Sequence, residues 1–160
     1  MVTARRSIWH EPPPADVPPI GRVDWLLVGA FAAAALVEGI ARPDLTWRPL
    51  VTVLPLALIP ALLWRRARPL VAALVGWGVA GLLAALQLTA QVGDLGLYSM
   101  MAVLVLLYSL VRWGSGREMV VGTAFVAAVV ALGMFASSGG WADAFGGSVL
   151  LLLFVALAAV

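Results

Sequence analysis

The sequence predicts an all-α, polytopic membrane helix bundle with six transmembrane helices, the sixth cut short by the end of the chain. Three observations carry that prediction. Of 160 residues, 63% are hydrophobic and 11% charged, against about 25% charged in an ordinary soluble domain. The apolar residues come in long runs separated by short polar stretches. The arginines collect in those stretches, above all in Trp64-Arg65-Arg66-Ala67-Arg68-Pro69. Each of these three arginines would cost about 2.5–3.5 kcal/mol at the centre of a membrane helix, so this knot is a loop at a membrane surface.

Residues 1–22 read as a disordered, proline-rich cytoplasmic tail, and residues 23–160 as the transmembrane domain. Pro12-Pro13-Pro14 and Pro18-Pro19 favour extended backbone over helix. His10-Glu11 has the residue types of a phosphoacceptor pair, but the prolines that follow exclude a long helix there.

The first apolar segment covers residues 25–40, with Trp25 at its start and Glu38 near its end. Gly39-Ile40-Ala41 has small residues at a signal-peptide cleavage spacing. The long proline-rich tail and Asp24, which abuts the apolar run, argue against cleavage. Glu38 lies about a turn from Arg42 and is read as half of an interfacial ion pair.

The second segment, residues 49–63, covers only about 22 Å as a helix, against a hydrocarbon core of about 30 Å. Pro55 and Pro60 also interrupt its hydrogen-bond ladder. It either spans, with Trp47 and Trp64 as anchors, or re-enters. Segments three to six cover residues 70–88, 95–111, 119–135 and 148–160. Gln87, Thr89, Gln91 and Gly93-Asp94 mark the exit from segment three, and a basic loop with Arg112 and Arg117 follows segment four.

Arginine counting decides the fate of segment two. Six spans with an internal N-terminus place eight arginines inside and two outside. A re-entrant second segment reverses the later loops and leaves three inside against seven outside. Short arginine-rich loops stay cytoplasmic, so six spans are expected, with both termini inside a bacterial cell membrane. Arg65, Arg66, Arg68, Arg112 and Arg117 are the topology-determining residues. Trp25, Trp47, Trp64, Trp113 and Trp141 fall at the expected interfaces, and Trp77 is expected to pack between helices.

Ala72, Gly76, Ala80 and Ala84 recur every fourth residue along segment three. Small residues at that spacing let helix backbones approach closely. They are candidate helix-packing positions, either within one bundle or at a dimer seam.

The residues supply no visible catalytic site. Cysteine is absent, which removes a thiol nucleophile, a disulfide framework and a thiolate metal site. The single histidine lies in the tail, and no base, nucleophile and donor set converges. Gly114-Ser115-Gly116 lacks the lysine and the strand context of a phosphate-binding loop. No basic face on a soluble fold suggests nucleic acid. Lysine and asparagine are missing while Ala, Arg, Gly, Leu and Val dominate, a bias that fits a high-GC bacterial genome.

Two runs carry a family likeness. Leu62 to Pro69 reads Leu-Leu-Trp-Arg-Arg-Ala-Arg-Pro, and Leu107 to Arg112 reads Leu-Tyr-Ser-Leu-Val-Arg before a small basic loop. With their order and spacing, the chain from about residue 20 to residue 160 resembles the N-terminal membrane region of NarL/DesK-like sensor histidine kinases from high-GC Gram-positive bacteria. The resemblance implies a homodimeric module that anchors, and gives sensory input to, an ATP-dependent protein histidine kinase. It further implies a coiled coil, a phosphoacceptor helix and an ATP-binding domain beyond Val160, with a cytoplasmic response regulator as partner. ATP and Mg would belong to that kinase core, with no cofactor in this segment, and no catalytic residue transfers to these positions. The alternative is a free-standing small integral membrane protein, transporter-like or structural.

Overall fold

Leucine and alanine are strong helix formers. In hydrocarbon, a helix satisfies every interior N–H and C=O within one segment. The computed structural model describes residues 18–42, 49, 53–90 and 101–136. Over these residues all regular structure is helical: α1 Arg22–Ala41, a 3₁₀ turn Leu54–Ala57, α2 Leu58–Trp64, α3 Pro69–Ala90, α4 Ala102–Trp113 and α5 Gly116–Ala136.

Three of the five α-helices, α1, α3 and α5, are long and apolar enough to cross a membrane. The described residues therefore give three helices of spanning length rather than six. At 1.5 Å per residue α2 extends about 10 Å and α4 about 18 Å, both short of a core of about 30 Å. Prolines account for the brevity of α2. Pro55 falls in the 3₁₀ turn, and Pro60 falls in the first turn of α2, where its missing N–H costs no helical bond. Residues 1–17, the first part of segment four (95–100), segment six (148–160), Trp47, Trp141, Gln91 and Gly93-Asp94 lie outside the described residues.

The helix ends follow local chemistry. At the start of α1, Asp24 Oδ2 accepts from the Gly21 N–H at 2.9 Å. At its end the Arg42 N–H donates to the Glu38 carbonyl at 3.0 Å, and their side chains pair at 3.5 Å. Pro69 opens α3, where proline fits the first helical position. Ser115 and Glu118 cap α5 reciprocally: the Ser115 N–H donates to Glu118 Oε2 at 2.9 Å, and the Glu118 N–H to Ser115 Oγ at 3.4 Å.

Helix directions follow from the contacts. Trp77 Nε1 donates to the Val103 carbonyl at 3.1 Å, Leu106 lies against Gly76, Leu110 against Gly122 and Val129 against Gly81. With the short turn between Trp113 and Gly116 making α5 antiparallel to α4, these contacts are met together only when α4 runs antiparallel to α3 and α5 parallel to it. The core is centred on α4, whose Leu106, Leu107 and Leu110 are fully buried, with Leu58, Leu62, Ala72, Trp77 and Val126 around them.

Outward, α1 and α5 carry exposed large apolar side chains, including Leu26, Val37 and Phe135, the last 82% exposed. Exposed apolar surface on helices long and apolar enough to cross a membrane is surface suited to contact with lipid or another apolar partner.

Two glycines set how closely the helices approach. A Cβ on Gly76 would run into the Leu106 side chain and come within 3.3 Å of Leu58. A Cβ on Gly122 would run into the Leu110 side chain. Lipid tails are as apolar as leucine, so such packing and interhelical hydrogen bonds are what hold membrane helices together. Ala72, Gly76 and Ala84 are buried and Ala80 is half-buried. Gly76 faces the interior of this bundle rather than its surface.

Candidate functional site

The arginines converge at one end of the bundle. From Leu106 to Trp113 is about two turns, or about 10 Å, and Gly76 to Pro69 is the same. Since α4 is antiparallel to α3, Trp113 and Pro69 end at one level. The α4–α5 turn therefore sits beside the α2–α3 turn. The start of α1 joins them, because Asp24 bonds to the α2–α3 turn. Among the described residues this end carries Arg22, Arg65, Arg66, Arg68, Arg112 and Arg117, with Asp24 and Glu118 as its carboxylates.

Asp24 lies at the centre of the site. Arg65 donates to Asp24 Oδ1 at 2.6 Å and Arg66 pairs with the same oxygen at 3.0 Å. Asp24 is 4% exposed and Arg65 8%. A buried pair is costly unless its remaining hydrogen bonds are satisfied; here the second carboxylate oxygen accepts from Gly21. The cluster fastens residues 41 apart in sequence and holds the start of α1 against the α2–α3 turn.

In the sequence Asp24 is only a charge at the edge of an apolar run; its central role comes from the α2–α3 turn that packs against it. The available signal was parity: under the positive-inside assignment, Asp24 and the Trp64 turn fall on the same side, within reach of each other.

The other basic turn is built locally. The Gly114 N–H closes α4 on the Leu110 carbonyl at 2.9 Å. The Arg112 guanidinium stands 6.0 Å from the centre of the Trp113 ring, a cation–π distance. Glu118 is engaged by Ser115.

Two open clefts flank Ala67. One, of about 430 Å³, is lined by Pro19, Ile20, Asp24, Leu63 and Arg66, and so contains both signs of charge. The other, of about 300 Å³, is lined by Trp64, Arg68 and Val71, and among the described residues its one charged group is a guanidinium.

Among the described residues no group of His, Asp and Glu is arranged to hold a metal ion. What the arrangement offers is charge placement: a cationic rim around one end of an apolar bundle, with the buried Asp24 carboxylate tying two of its arginines down. No family profile matches the chain, and neither a curated protein nor a solved structure shows significant similarity to it.

Proposed function

We propose that the chain is the membrane-anchoring and sensory input module of a two-component sensor histidine kinase, working as a homodimer in a bacterial cell membrane. The full reading has six spans and both termini in the cytoplasm. The observation that supports the topology is the convergence of both basic turns and the start of α1 at one end of the bundle. The positive-inside rule assigns such an end to the cytoplasm. The kinase role is supported by the two sequence runs, Leu62 to Pro69 and Leu107 to Arg112, both of which close at that end. In this reading a stimulus changes helix packing and biases a two-state coiled coil below the membrane. A response regulator then receives the phosphoryl group from the kinase core.

The test is the reading frame beyond Val160. A charged heptad pattern leading into a phosphoacceptor helix, with ATP-dependent autophosphorylation of the extended product, supports the kinase reading. A stop codon at that point overturns it in favour of a free-standing membrane protein.

A further inference from the structure

The two clefts beside Ala67 differ in one respect that determines what each accepts. In the larger cleft, Asp24 already neutralises guanidinium charge and repels an incoming anion. In the smaller, no carboxylate among the described residues stands opposite Arg68. The backbone N–H of Arg68 is used by the Trp64 carbonyl at 2.8 Å, while its guanidinium makes no hydrogen bond or ion pair among the described residues. Trp64, beside it, is half exposed, as suits an indole at the level of lipid headgroups.

Above the cleft, Val71, Leu74 and Val75 are exposed on α3. Positions three and four apart share one helix face, so this strip rises from the cleft into the hydrocarbon layer. We propose that the Trp64–Arg68–Val71 cleft is a binding site for an anionic phospholipid. The phosphate is held by Arg68, the interfacial part of the lipid packs on Trp64, and an acyl chain lies along Val71, Leu74 and Val75. Guanidinium matches a phosphate's paired oxygens, and basic pockets between membrane helices are known headgroup sites. The charge logic selects an anionic lipid over a zwitterionic one. The apolar strip selects a lipid over free phosphate. The site requires a bilayer but no attached kinase.

The experiment uses the full chain in detergent, titrated with phosphatidylglycerol or phosphatidylcholine and read by native mass spectrometry. The wild type should retain phosphatidylglycerol in preference to phosphatidylcholine. R68Q should weaken that retention about fivefold, R68K should restore most of it, and R117Q, at the same end of the bundle, should change it less than twofold. Equal losses for R68Q and R117Q, or equal retention of the two lipids, would overturn the site. Displacement of the lipid by millimolar inorganic phosphate would show an anion site rather than a lipid site. A second measurement leaves Arg68 intact: a photoactivatable phosphatidylglycerol on the wild type should label the peptide containing Trp64 to Val75. Labelling spread evenly over α1 and α5 overturns the assignment even if R68Q does not fold.

Discussion

The two arginine turns look alike in sequence and are built differently. The Trp64 turn is held across the bundle, with Arg65 and Arg66 closing on a carboxylate in another helix. The Trp113 turn is held by its own neighbours: Gly114 on Leu110, Arg112 over Trp113, Ser115 on Glu118. Counting charges treats the turns alike, since each adds arginines to the same end of the bundle. Their partners separate them. The first turn couples three helices, so disturbing it should reach α1, whereas damage to the second should stay where it is made.

The largest test of this contrast removes each turn's arginines in turn. Replacing Arg65, Arg66 and Arg68 with alanine should remove about 3 kcal/mol of attraction to an anionic inner surface. It also leaves Asp24 buried without a cation, which by itself costs about 3–5 kcal/mol. Mixed orientation of the chain is the expected result. Replacing Arg112 and Arg117 should leave one orientation, because α5 is long and unbroken. The chain has no cysteine of its own, so single cysteines at Ala67 and Ser115 report sidedness directly. In the parent protein both should be sealed from the outside while cysteines at Ala90 and Ala136 are reached from it. If Ala67 stays sealed in the triple variant, the first turn is no more an anchor than the second.

A sharper comparison takes one carboxylate from each turn. Asp24→Ala breaks a buried cluster and should lower stability by about 3 kcal/mol. Glu118→Ala removes a helix cap and should cost about 1 kcal/mol. Thermal melting in detergent ranks the two. A double-mutant cycle between Asp24→Leu and Arg65→Met should show coupling, the pair of changes being milder than the sum of the single ones. Additive effects would mean that the cluster does not fasten α1.

A smaller difference is expected at the glycines. Gly76→Leu and Gly122→Leu each force a side chain into an occupied site and should cost about 1–3 kcal/mol. Gly76 is pressed by both Leu58 and Leu106, Gly122 by Leu110, so Gly76→Leu should be the worse of the two. Val75→Leu, which adds bulk on an exposed face, is the control and should stay within about 0.5 kcal/mol. Melting temperatures that fail to separate Gly76→Leu from Val75→Leu would show that the small-residue stripe reflects composition rather than close packing.

Legible in the sequence were the all-helical class, the apolar runs that become α1, α3 and α5, and the positions of the basic turns, whereas the expected six spans exceed the three helices of spanning length among the described residues. The legible features depend on properties that add up locally: hydropathy over some twenty residues, the cost of arginine in hydrocarbon, and proline's missing N–H. The Glu38–Arg42 pair was legible for the same reason, since its partners lie one helical turn apart. The shortness of α2 was signalled by Pro55 and Pro60, although arginine counting favoured a full span there.

Which charges meet depends on how the helices pack. Asp24 looked like an edge residue until α1 was laid against the α2–α3 turn, and Arg65, Arg66 and Arg68 looked equivalent until two of them found that carboxylate and one did not. The same holds for the stripe through Gly76, whose inward direction depends on where Leu58 and Leu106 arrive, and for Trp77, whose hydrogen-bond acceptor is a backbone carbonyl on another helix. Partners far apart in sequence are brought together by helix packing, and packing depends on the shapes of all the facing side chains at once rather than on any local window.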